Sequence, residues 1–224
     1  MFFFLKSLSR SVHDDIEEHH HQEQDQTSKI VTDGTCTSLT VWRKSLLVNC
    51  NGFTVINSNG DLVYRVDNYI VRPHELVLMD ASGKSILTMH RKKKLGLGDS
   101  WLVYEGEVGK CCSTTRISKK PIWSVKKHSN ILQASKNNNN NNVLAYVFRG
   151  TAEKRYSYVI EGSYTQRSCK VVDESRTTVA EIKRKEAIVR GVSFGVEVFV
   201  LVVHGGFDPG FAMALVLLLD QMFS

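Results

Sequence analysis

The side chains best placed to do chemistry in this chain are basic. Arg91, Lys92, Lys93 and Lys94 are consecutive, and Lys119-Lys120, Lys126-Lys127 and Lys183-Arg184-Lys185 recur further along. Converging on adjacent strand ends, such groups would form an anion site. Near an anionic lipid surface each basic side chain contributes about 1 kcal/mol. Their alternative role is to guard sheet edges as solvated loop charges. Arg91 to Lys94 also has the form of a nuclear localisation signal. The interleaved aromatics that single-stranded nucleic acid needs for stacking are missing around these clusters, which argues against that partner.

Other motifs fail on their context. Gly191-Val192-Ser193-Phe194-Gly195 spells a nucleophile elbow, which requires a strand before it, a helix after it, and an acid and a histidine following in that order. Here an apolar strand pattern follows, and His204 comes before Asp208 and Asp220. The segment reads as a turn. Gly83-Lys84-Ser85 lacks the earlier glycine of a phosphate loop, since Leu78 stands there, and reads as a hairpin turn. The triplet His19-His20-His21 sits in a polar stretch with no frame to fix a metal. Cys36, Cys50, Cys111, Cys112 and Cys169 form no C-x-x-C pair, and none has a histidine at a recognisable spacing. We therefore assign no catalytic residue, no metal and no cofactor, and expect a non-enzyme. The unpaired cysteines and the missing N-x-Ser/Thr sites point to a reducing, intracellular setting. That setting is cytoplasmic, open to membrane association or nuclear entry. The opening apolar run before Lys6 is too short for a secretory signal.

What must hold the basic groups in place is a β structure. From Leu39 onward, about a dozen short strand patterns, among them 39–48, 75–80, 143–149 and 178–184, alternate with turn signals such as Asn59-Gly60. No long amphipathic helix lies between them, so the sheet is antiparallel. The last strand pattern, residues 196–203, is apolar on both faces and reads as covered. Asp208-Pro209 then starts a helix in which Phe211 to Leu219 are all apolar. Nine such residues cover every face of a helix, yet Pro209 to Phe223 reaches only roughly 22 Å, too short to span a bilayer. A helix with no polar side needs an enclosure. The strands supply one by closing into a barrel of more than eight staves, because eight leave room only for side chains. The expected fold is mainly β: a closed antiparallel barrel of about twelve strands enclosing the C-terminal helix. Residues 1–38 carry seven acids against three bases and read as a disordered acidic tail. The net charge of +6 therefore leaves +10 on residues 39–224, the barrel domain. That balance suits an anionic partner. The asparagine run 137–142 reads as a loop insertion.

The stretches at 39–46, 52–69 (GFTVINSNGDLVYRVDNY), 75–101 (beginning ELVLMDASGKSILTMHRKKK), 168–172, 179–187 and 207–223 resemble the plant LURP-one-related proteins. The resemblance implies the tubby-like fold, a twelve-stranded barrel threaded by a hydrophobic helix. It implies kinship with phosphoinositide-binding tubby domains and with phospholipid scramblases, and an association with plant defence. It carries no catalytic residues. Where the family usually has a G-x-D-V-F-R-L strand, this chain has Glu197 for the aspartate and Val200 for the arginine. Gly205-Gly206 stands where a proline often precedes the helix. The leading expectation is a binding module for anionic membrane phospholipid through Arg91, Lys92, Lys93 and Lys94. The alternatives are a protein-interaction or regulatory protein with no lipid ligand, and scramblase-like lipid handling, which needs the terminal helix to enter a bilayer. Oligomeric state is not legible.

Overall fold

The computed structural model describes residues 36–47, 50–67, 74–94, 97–108, 119–128, 142–151, 155–185 and 194–224. The acidic tail up to residue 35, the histidine triplet, Cys111-Cys112, asparagines 137–141, residues 191–193 and the side chains of Lys93 and Lys94 lie outside that set.

Twelve strands run β1 (Thr37–Trp42), β2 (Phe53–Ile56), β3 (Leu62–Val66), β4 (Glu75–Asp80), β5 (Ser85–Lys94), β6 (Leu97–Glu105), β7 (Trp123–Lys127), β8 (Val143–Arg149), β9 (Tyr158–Ser163), β10 (Ser168–Asp173), β11 (Thr178–Arg184) and β12 (Val198–Val203). Each pairs antiparallel with its sequence neighbours, and β1 pairs with β12 from Thr37↔Val203 to Trp42↔Val198, closing the barrel. Closure leaves no edge strand. Turn chemistry matches the expectation: Gly60 and Gly83 both adopt positive φ, and Asn57 Oδ1 accepts from the backbone N–H groups of Asn59 and Asp61. Gly162 has φ 114° on β9, and a Cβ there would lie 2.2 Å from the Ser168 carbonyl oxygen, so the close β9–β10 approach requires glycine.

The helix α1 (Pro209–Phe223) fills the barrel. The Asp208 carboxylate caps it by accepting from the Phe211 N–H at 2.6 Å, and Pro209 takes the position that needs no donor. Gly210 to Asp220 is buried without a break. The helix packs against the inward rows of the wall, among them Leu39, Phe53, Leu78, Met89, Trp101, Val147 and Leu201. Among the described residues, no helix is long and apolar enough to cross a membrane.

Two readings are corrected. The segment 39–48 is not one strand: β1 ends at Trp42, and past it Arg43 makes one more backbone bond, to the Glu197 carbonyl, while its side chain turns to Asp220 near the end of α1. β12 is not covered on both faces. Phe199, Leu201 and Val203 are buried, whereas Val198, Val200 and Val202 are half-buried on the outer wall. A barrel has one inside, so an apolar outer face there remains available.

Candidate functional site

The barrel has two chemically different ends. β7 defines them: Trp123 stacks on Phe211 with ring centroids 4.9 Å apart near the start of α1, and Lys127 Nζ donates to the Met222 carbonyl at 2.6 Å near its finish. Following the register around the wall, the Asp208 end gathers Asp61, Asp80, Glu105, Asp173 and Glu174 among its turn residues. The Asp220 end gathers Arg43, Lys44, Lys92, Lys126, Lys127, Arg167, Arg184 and Lys185. Among the described residues the Asp208 end also carries Lys84, Lys119, Lys120, Arg149, Arg155 and Arg176, which roughly balance its acids, so the cationic surplus lies at the Asp220 end.

Asp220 anchors that end. Its carboxylate is about 1 % exposed. It accepts from Arg43 Nη2 at 3.2 Å, from the Tyr164 hydroxyl at 3.0 Å and from Ser224 Oγ at 2.8 Å. Lys127 answers the last carbonyls of the helix, where the macrodipole is negative, and lies over the Phe223 ring. Burial, followed by the nearby Asp220 charge, holds the Tyr164 hydroxyl protonated far above its ordinary range. Above about pH 10 an unfolded chain releases that proton while the folded one keeps it, so stability falls as pH rises through this region. Tyr164→Phe is expected to cost about 1–2 kcal/mol at pH 7. It should also flatten the alkaline loss of stability by up to about 1.4 kcal/mol per pH unit. Denaturant titrations from pH 7 to 11 measure both.

Beside this anchor lies a basin of about 720 Å³ lined by Gln166, Arg167, Ser168, Lys183, Arg184 and Val200. Arg167, at the tip of the β9–β10 hairpin, has φ 52° and is about 4 % exposed. Its Nε donates to the Val196 carbonyl at 2.8 Å. Its guanidinium lies over the rings of Tyr164 and Phe199, at 4.2 and 4.4 Å from their centroids. Arg184 Nε donates to the Gln166 carbonyl at 2.8 Å. Neither arginine has a carboxylate partner among the described residues. Arg167 is held by neutral oxygens and two rings and Arg184 by a neutral oxygen, contacts that orient a cation without neutralising it. Lys183 pairs with Glu181 at 3.2 Å but is half exposed.

A second, apolar groove of about 350 Å³ adjoins it on the outer wall, lined by Thr40, Trp42, Thr54, Ile56, Lys185, Phe194 and Val198. Val198 and Val200 are outward neighbours on β12, so one strand borders both recesses. Lys185 Nζ donates to Thr40 Oγ1 at 2.9 Å across this groove, and Lys44 sits over the Trp42 ring. Trp42, Leu46, Leu47, Phe194 and Val196 are exposed at the same end.

Of the four residues singled out from sequence, the structure describes the side chains of Arg91 and Lys92. β5 alternates, so Arg91 pairs across to the buried Trp101 and is half-buried on the inward row at the barrel mouth, while Lys92 is exposed on the outer row. Lys92, Ser100 and Lys126 form a cross-strand row on the outer wall. Arg167 carried no signal in the sequence, being a single arginine in a hairpin.

A closed twelve-stranded antiparallel barrel filled by a hydrophobic C-terminal helix is the tubby-like fold. A solved structure of an Arabidopsis thaliana protein superposes on it with a TM-score of 0.54 at 24% sequence identity, covering 83% of this chain and 90% of that one. The LURP-one-related family model matches residues 37–220. Protein LURP-one-related 17 of Arabidopsis thaliana is 53% identical over 228 residues, covering 100% of both chains. Protein LURP-one-related 8 of the same plant is 50% identical over 188 residues, covering 83% of this chain and 86% of its own. The chain belongs to the LURP-one-related family.

Proposed function

We propose that this protein is a non-enzymatic binding module that docks the Asp220 end of its barrel on anionic phospholipid, with a phosphoinositide headgroup as the preferred ligand. The observation that carries the reading is Arg167, a buried guanidinium without a carboxylate among the described residues, opening with Arg184 and Lys183 onto one basin. A phosphate would supply the missing anion and accept several charge-assisted hydrogen bonds. Trp42, Leu46 and Leu47 would enter the interfacial layer, where aromatic and aliphatic side chains are favoured. Arg91, Lys92, Lys93 and Lys94 add long-range attraction from the same end. The setting is the defence or stress signalling that the family resemblance implies.

Flotation with vesicles at physiological salt tests this. The protein should rise with phosphoinositide vesicles, rise far less with neutral ones, and be released as salt is raised, because screened surface charge loses its reach. Equal recovery with both vesicles would refute the reading. A stoichiometric protein complex that survives high salt would favour the protein-interaction alternative.

A further inference from the structure

Three residues that lie far apart in sequence meet at the opposite end of the barrel. Cys36 Sγ lies 3.3 Å from His204 Nδ1, and His204 Nε2 lies 3.3 Å from Glu181 Oε1. The barrel seam brings them together: β1 opens with Thr37 opposite Val203, and β11 places Glu181 opposite Val202. His204 itself begins the turn into α1, its carbonyl accepting from the Phe207 N–H. With Glu181 accepting from Nε2–H, Nδ1 is left to accept from the thiol. This is the arrangement of an activated nucleophile: thiol, base, and a carboxylate that orients the base. Burial opposes ionisation of Glu181, but hydrogen bonds from Lys183 and His204 more than offset it and hold its carboxyl below the usual range. The orienting group is therefore charged at neutral pH, with Lys183 and the more distant Lys170 as its other cationic neighbours.

We infer that Cys36 is a covalent modification site for small soft electrophiles, with His204 as its base and Glu181 as the positioning residue. In the reaction with an α,β-unsaturated carbonyl, the thiol proton passes to His204 Nδ1 and sulfur forms a bond to the β-carbon. The electron pair of the carbon–carbon double bond moves to the enolate, and the proton is returned to the α-carbon. No oxidant or other reactant is needed. The site is open: Cys36 and the His204 edge are accessible, whereas Cys169 is buried and its thiol is pushed up to about 12 by desolvation. It is also remote from the basic end, so an adduct leaves that surface free.

The test uses the full-length protein, N-ethylmaleimide as the probe, and peptide mass spectrometry to follow each cysteine separately at pH 7. Cys36 should react about tenfold faster in the folded protein than in the same chain unfolded in denaturant, where no histidine is held beside it. Cys50 should show no such gain and Cys169 should be protected. His204→Gln should bring Cys36 down to its unfolded rate. Glu181→Gln should give an intermediate rate that Glu181→Asp partly restores. Protection of Cys169 in each variant reports that the barrel is intact. A folded rate for Cys36 no greater than its unfolded rate would overturn the inference without any variant. So would an unchanged Cys36 rate in His204→Gln with Cys169 still protected.

Discussion

Replacing Lys44, Lys183, Arg184 and Lys185 together with glutamine is expected to weaken binding to phosphoinositide vesicles by roughly two to three orders of magnitude. Each cation at an anionic lipid surface contributes about 1 kcal/mol, and every 1.4 kcal/mol is about a factor of ten. The effect should be local. Lys119, Lys120, Arg149 and Arg155 are exposed at the Asp208 end, and replacing them removes the same net charge. That control set should change vesicle binding by less than about threefold, because its charges lie more than two Debye lengths of about 8 Å from the docked surface. Equal losses in the two variants would mean that only net charge matters. Replacing Arg91, Lys92, Lys93 and Lys94 instead should give an intermediate loss, since Arg91 is half-buried whereas Lys92 is exposed. Titrations at fixed salt, read as partition coefficients, separate the three cases.

The second large effect concerns the bond between wall and helix. Arg43→Met is expected to destabilise the barrel by about 2–3 kcal/mol. The figure lies below the usual cost of breaking a buried ion pair because Arg43 is itself 35% exposed and Asp220 keeps Tyr164 and Ser224 as donors. The penalty comes from the carboxylate left behind, at about 1 % exposure. Adding Asp220→Leu should therefore recover a substantial part of the loss, since an apolar pair of similar volume can match a buried ion pair. Equilibrium unfolding of the two single variants and the double variant measures this. If the double variant is as unstable as the sum of the singles, the ion pair is not the cause.

Much of the fold was legible because one element dictated it. A helix apolar on every side needs an enclosure, and strands too short and too closely spaced for crossovers can enclose it only by closing on themselves. Strand spans such as 75–80, 143–149 and 178–184 followed from alternation and turn residues alone. The functional surface was less legible for a geometrical reason. Neighbours such as Arg91 and Lys92 are turned to opposite faces by the period of two in a strand, while the basin combines Arg167 with residues on β11 and β12. Arg43 and Asp220 are 177 positions apart, and Cys36 and His204 are 168 apart. No local pattern records such meetings. The both-sided apolarity of β12 was legible but misread: Val198 and Val200 border recesses on the outer wall. Val200 stands in the basin lining beside three cations from neighbouring elements.

Which end of the barrel meets the bilayer can be read with tryptophan fluorescence and anionic vesicles made with brominated lipids. Trp101 is buried in the core and Trp123 stacks against the far end of the helix, whereas Trp42 is 44% exposed beside Lys44. Docking by the Asp220 end predicts strong quenching of the bound wild-type protein and almost none in Trp42→Phe, at equal vesicle occupancy. Quenching that persists undiminished in Trp42→Phe, or bound wild-type protein whose fluorescence does not change, would contradict it.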